Sequence, residues 1–183
     1  MGTTTAVLVI DIQRDYFPGG AYPLVGPDAA AERASEVVLR ARAEGIPVIH
    51  IQHVALEPDA TFFIADTAGV AIDDRVAPAP GESVITKHFP NSFLETDLAG
   101  VLERAGAANL VIVGMMSSMC VDATTRAALD LDLAVTVIHD ACAAPDLEFD
   151  GTFVPGATVH AAFMAALGDA GAQVIPAARF ARD

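Results

Sequence analysis

Leu110-Val111-Ile112-Val113-Gly114-Met115-Met116-Ser117-Ser118-Met119-Cys120 decides the fold. Four apolar residues, three of them β-branched, stop at a glycine, and after a short turn a helical pattern runs from about Cys120 to Leu131. A strand apolar on both faces that feeds a helix is the building unit of a parallel sheet covered on both sides. The same alternation recurs in both directions from this stretch. Upstream, Ala6 to Ile10 reads as a strand, followed by a loop with Pro18, Gly19, Gly20 and Pro23 and an amphipathic helix from Pro27 to Ala43 that Gly45 stops. Pro47 to Ile51 and Ser83 to Thr86 are further strands, and a helix covers about Leu94 to Ala105. Downstream come a strand over Ala134 to Ile138, an acidic loop from Asp140 to Pro155, a helix to about Asp169 and a last strand over Ala172 to Ile175. Six strands alternating with helices, without a repeat or linker, predict an α/β, three-layer doubly wound fold: a six-stranded parallel sheet flanked by helices, in one domain over residues 1–183. The segment 53–80 has no clear periodicity, which marks it as a lid or an interface.

Composition narrows the function classes. Of 183 residues, 53% are hydrophobic, enough to build a real core. With 24 Asp and Glu against 10 Lys and Arg, the net charge of −14 repels polyanions and argues against a nucleic-acid partner. It suits steering of cationic substrates, and equally a plain solvated surface. No apolar run reaches the roughly 18 residues of a membrane span, so no membrane partner is expected. Met1-Gly2-Thr3-Thr4-Thr5 has neither the basic start nor the cleavage site of a secretory signal, which predicts a cytoplasmic protein. Cys120 and Cys142 share no metal-ligand spacing and are expected as free thiols.

In doubly wound sheets ligands bind beyond the carboxyl ends of the strands. Asp11 lies just past the first strand, Lys87 just past the third, and Cys120 six residues past Gly114 at the opening of a helix. A cysteine in the first turn of a helix faces unpaired N–H groups and the positive end of the dipole, which favour thiolate. Lys87 would add charge in the same sense, and Asp11 could take the thiol proton and return it to a leaving amine. The turn from Gly114 to Cys120 could aim backbone N–H groups at a developing oxyanion. Singly, each has a plain reading: a small buried hydrophobe for Cys120, a cap for Asp11, a solvated charge for Lys87. Their convergence on one sheet edge is what points to catalysis. Cys142, without a basic neighbour, reads as structural. Tyr16, Phe17, Phe62 and Phe89 are candidate substrate-binding residues or ordinary core, and His160 either approaches the site or lies on a helix surface.

Asp11-Ile12-Gln13-Arg14-Asp15-Tyr16-Phe17, Thr86-Lys87-His88-Phe89-Pro90-Asn91-Ser92-Phe93 and Gly114 to Thr124 together resemble, in order and spacing, the three motifs of the isochorismatase-like cysteine hydrolases, which include nicotinamidases, N-carbamoyl amide hydrolases and isochorismatase. The resemblance implies a six-stranded parallel sheet, Cys120 as nucleophile, Asp11 as general acid and base, and Lys87 as support for the thiolate. It also implies a cis peptide at Met115-Met116 and an oxyanion hole formed by the N–H groups of Met116 and Cys120. Nicotinamidases carry an Asp-x-His metal motif after the second strand. Ile51-Gln52-His53-Val54-Ala55-Leu56 lacks it, so no metal and no cofactor are expected and His53 reads as a pocket or structural residue. The resemblance is strongest to streptothricin-hydrolase-like members, which open a cyclic amide. The expected function is hydrolysis of a carboxamide or cyclic amide of a small molecule through a thioester, in a homo-oligomer, dimer or tetramer. A nicotinamidase-like amidase is the alternative. Two rivals come from other classes: a non-catalytic binding or assembly protein on the same fold, and a receiver domain, which lacks its acceptor Asp on the third strand.

Overall fold

The computed structural model describes residues 4–180. Six parallel strands form one sheet: β1 (Thr4–Ile10), β2 (Val48–His53), β3 (Ser83–Lys87), β4 (Ala107–Met115), β5 (Ala134–Ala143) and, after a small hairpin of β6 (Leu147–Phe149) and β7 (Thr152–Val154), β8 (Gln173–Ile175). Their spatial order is β3-β2-β1-β4-β5-β8, so the direction of winding reverses between β1 and β4. A crevice opens at the carboxyl ends of strands at such a reversal, and Asp11 and Cys120 flank this one.

Alternation along β1 shows how the sheet is covered. Val7 and Val9 face a core shared with Val37 and Val38 of α1 (Pro27–Ala43), while Leu8 and Ile10 face a second core with Leu98 and Leu102 of α2 (Leu98–Ala105) and Val121. Both sets are buried, at about 1.5–3 kcal/mol for each large side chain, which is why the strand has no polar face. The α1 helix has the limits its punctuation predicts. Pro27 stands at its first position, where no N–H is needed, and Gly45 follows its end in the left-handed region at φ 70.

Four of the differences from the sequence reading shape the site and its surroundings. The second helix begins at Leu98, because Asn91, Ser92 and Thr96 spend their side chains and carbonyls on local bonds: Phe93 N–H to Asn91 Oδ1 at 2.9 Å and Thr96 Oγ1 to Ser92 O at 2.6 Å. Cys120 does not open an α-helix. It lies in a π-helical turn, Ser117–Val121, in which the Val121 N–H reaches back five residues to Met116 O at 3.2 Å, and α3 (Asp122–Asp130) follows. Third, β5 runs on to Ala143; Ile112 faces Val137 but Gly114 faces Cys142, so β5 absorbs extra residues there. Fourth, the acidic loop contains the β6–β7 hairpin before α4 (Gly156–Asp169). Gly114 itself stands at φ 146, and a methyl group there would run into the Ile10 carbonyl. That close approach of β4 to β1 brings the residues after each strand together. A short α5 (Ala177–Phe180) ends the described chain, and among the described residues no helix is long and apolar enough to cross a membrane.

At the amino ends of β2 and β3, Glu82 accepts both Arg42 Nε and Nη2 at 2.8 Å, the Ala79 N–H at 2.8 Å and the buried His50 Nε2 at 2.8 Å. The Arg42 guanidinium, with the Ala79 amide and His50, holds the Glu82 carboxyl down at about 2 against burial. A depressed carboxyl contributes stability that is present above its unfolded value, near 4.5, and lost as pH falls through about 2. Glu82→Gln is therefore expected to cost on the order of 2–3 kcal/mol at neutral pH. It should also flatten the acid limb of stability between those two values, as read by urea unfolding across pH. An acid limb unchanged by the substitution would contradict this assignment.

Candidate active site

Asp11 follows β1 in the left-handed region, at φ 49, a conformation that Asp and Asn tolerate best among residues with a side chain. Its N–H is held by Ile51 O at 3.1 Å, which ties it to β2. Lys87 ends β3 and pairs in register with His53, the last residue of β2. Cys120 comes from the turn after β4. The three side chains meet: Lys87 Nζ lies 2.6 Å from Asp11 Oδ2 and 3.1 Å from Cys120 Sγ, with Asp11 and Lys87 fully buried and Cys120 4% exposed.

A fourth member completes the group. Lys87 Nζ is also 2.8 Å from His53 Nδ1. An ammonium only donates, so Nδ1 accepts and the ring carries its proton on Nε2. Burial, then the charges of Lys87 and His88, press His53 down to about 4, and it is neutral near neutral pH. The Lys87 ammonium thus hydrogen-bonds to a nitrogen and a sulfur and lies in ion-pair contact with a carboxylate oxygen. Asp11, His53 and Cys120 present donor atoms within 4.8 Å of one another, a set that could hold a metal ion in another setting; here the lysine hydrogen-bonds to His53 and Cys120 and forms an ion pair with Asp11.

The electrostatics revise the expectation of a ready thiolate. Burial and the Asp11 carboxylate together push the Cys120 thiol up, and Lys87 offsets them only in part. Burial also raises the Asp11 carboxyl, against the pull of Lys87. For Lys87 burial acts downward, but Asp11 and Cys120 outweigh it and its value is raised. The group thus combines a thiol of lowered acidity, a carboxyl of raised basicity and an ammonium that holds its proton more tightly.

The first motif acquires a physical reason at each polar position. Buried Gln13 accepts the His53 N–H at 2.7 Å and donates to His53 O at 2.9 Å and Val70 O at 2.7 Å, so it clamps the histidine backbone as a strand would. Asp15 accepts the N–H groups of Phe63 at 2.7 Å and Ala21 at 3.1 Å, which ties the segment after β2 to the site. Ser92 and Thr124, both buried, bond at 2.8 Å and fasten the loop after Lys87 to the helix after Cys120.

The chain matches the model of the isochorismatase domain over residues 5–178. It belongs to the isochorismatase family. An isochorismatase-family protein of Bacillus subtilis, YddQ, is 48% identical over 164 residues, covering 90% of this chain and 91% of its own length. Streptothricin hydrolase of Streptomyces noursei is 35% identical over 181 residues, 94% of this chain but 62% of that enzyme. A solved hydrolase structure of the isochorismatase type from Oleispira antarctica superposes with a TM-score of 0.94 at 48% identity, covering 98% of this chain and 97% of the other.

The remaining residues singled out in this isochorismatase-family enzyme have distinct places. The Met115-Met116 peptide is cis, and Met116 is buried beside the π-helical turn. Tyr16 is buried, and burial, then the charges of Cys120 and Asp11, raise its phenol. Phe62 lines a hollow with His53, in contact with Tyr16 and with Phe63, a residue that sequence reasoning missed. Phe17 is buried under the Arg75 guanidinium, 4.5 Å from its ring centre, and borders a different surface depression with Arg14 and Pro18. Phe89 is half-buried in the turn after β3. His160, on α4, bonds through Nδ1 to Ser117 Oγ at 2.8 Å, and that hydroxyl donates to Ala143 O at 3.1 Å. The histidine thus braces the turn that carries Cys120.

Proposed function

We propose that this protein hydrolyses the C–N bond of a small-molecule carboxamide or cyclic amide, with Cys120 as nucleophile. The carrying observation is the placement of Lys87 Nζ within 2.6 Å of Asp11 and 3.1 Å of Cys120 Sγ in a buried group. On attack the Cys120 proton passes to Asp11 as the sulfur–carbon bond forms. The N–H groups of Met116 and Cys120 receive the oxyanion. Collapse breaks the C–N bond, and Asp11 returns the proton to the leaving nitrogen. Water then gives a proton to Asp11 and its oxygen to the thioester carbonyl; the acid departs and the sulfur regains its proton. A carboxyl raised by burial suits both transfers, and Lys87 keeps the sulfur and carboxylate charges compensated throughout.

Similarity to a streptothricin hydrolase supports a cyclic amide as the finer reading. An amide panel assayed for ammonia or amine release, with intact mass on quenched enzyme, tests the whole scheme. The expected result is an acyl adduct on Cys120 that forms and decays at rates compatible with turnover. Turnover of nicotinamide that a chelator abolishes would support the nicotinamidase alternative instead. The burial of the sulfur favours a second reading, a binding or assembly protein without turnover; neither release nor adduct across the panel would bear that out. We further propose a cytoplasmic homo-oligomer.

A further inference from the structure

We infer that the hollow beside His53 selects substrates by positive charge: the part of the substrate that occupies it carries a cationic group, and a carboxylate there is turned away. The inference rests on the amide-hydrolase reading for what Cys120 does, though not for what the hollow admits.

The hollow measures about 270 Å³ and has His53, Phe62 and Phe63 on its wall, with the chain around residues 55–61 as its rim. The side-chain donors on its wall are neutral, the His53 ring N–H and the Thr61 hydroxyl; they suit an uncharged carbonyl or ring nitrogen and bring no charge. The other ionisable groups on the wall are Glu57 and Asp59, both exposed at the rim, and no lysine or arginine lines it. The Lys87 charge stands behind His53 and is compensated by Asp11.

The aromatic part of the same wall points the same way. Phe62 and Phe63 pack at 5.0 Å between ring centres, and Phe62 stacks on Tyr22 at 4.9 Å. Aromatic faces attract cations through the ring quadrupole, and most strongly where water is thinned. Aromatic walls, two carboxylates and no basic side chain together make a cation-accepting surface. The net charge of −14 adds a field of the same sign around the mouth. A carboxylate in the hollow would meet two like charges and no counter-ion.

Three methanethiosulfonates of similar size, carrying a trimethylammonium, no charge or a sulfonate, test this without relying on amide turnover. Each transfers its thioalkyl group to the attacking sulfur, forming a disulfide and releasing methanesulfinate. Labelling of Cys120 is followed by intact mass in a Cys142→Ala background and normalised to free cysteine. The cationic reagent should react at least about tenfold faster than the anionic one at low salt. That ratio should fall toward one at high salt and in Glu57→Gln/Asp59→Asn, whose exposed positions leave the fold intact. A ratio near one in the unmodified wall, a ratio untouched by the double substitution, or no labelling by any reagent would overturn the inference. Ammonia release by the same proteins separates the two ideas. A charge preference with no amide turned over faults the hydrolase reading alone, and turnover with no charge preference faults the hollow alone.

Discussion

Cys120→Ala is expected to lose at least about 10⁴-fold in kcat while remaining folded, because a nucleophile acts as a unit with its base and its loss removes the covalent route altogether. The sulfur is small and buried, so its packing contributes only about 1 kcal/mol, and Lys87 keeps two of its three partners. The measurement pairs steady-state rates with thermal melting. Retained turnover in the alanine variant would end the thioester route, and unfolding would be revealed by the melt. Cys120→Ser should fare little better, since Asp11 would then have to deprotonate a far weaker acid.

The second large effect concerns Lys87. Lys87→Met leaves the Asp11 carboxylate buried without a cation, and breaking a buried pair in this way costs about 3–5 kcal/mol. Asp11 already titrates above 3.8 because of burial, and without the ammonium it rises further. A carboxyl whose folded value is raised destabilises as pH climbs: the penalty is absent below about 3.8 and complete above the raised folded value. Urea unfolding of Lys87→Met should therefore show a deficit that grows with pH over that window. Asp11→Asn/Lys87→Met should regain most of the stability and none of the activity. A nearly neutral single substitution would mean that the pair is not held as buried ions.

Much of this could be read from the chain, and the parts that could not have physical causes. The positions of Asp11, Lys87 and Cys120 were legible because each lies at or just past the end of a strand whose β-branched run marks it, and the winding rule places such ends together. His53 was read as a pocket or structural residue, and its pairing with Lys87 depends on the β2–β3 register and on the Gln13 clamp, neither of which a local pattern reveals. The π-helical turn at Ser117–Val121 was hidden because its composition is that of any helix start; only the bond from Val121 to Met116 distinguishes it. The β6–β7 hairpin did carry a signal. Asp150-Gly151, both left-handed at φ 50 and φ 72, is the pair that a tight hairpin turn prefers, but acidic neighbours and short strands masked it. Phe17 and Phe62 could not be told apart by type, and only the fold sends one beneath Arg75 and the other to the hollow.

The three contacts of Lys87 have a stereochemical corollary. Its single nitrogen touches three groups, each carried by a different element. An arginine would keep the charge but offer a flat fork, unable to reach three partners set in three directions, so at this position shape binds the chain to lysine as firmly as charge does.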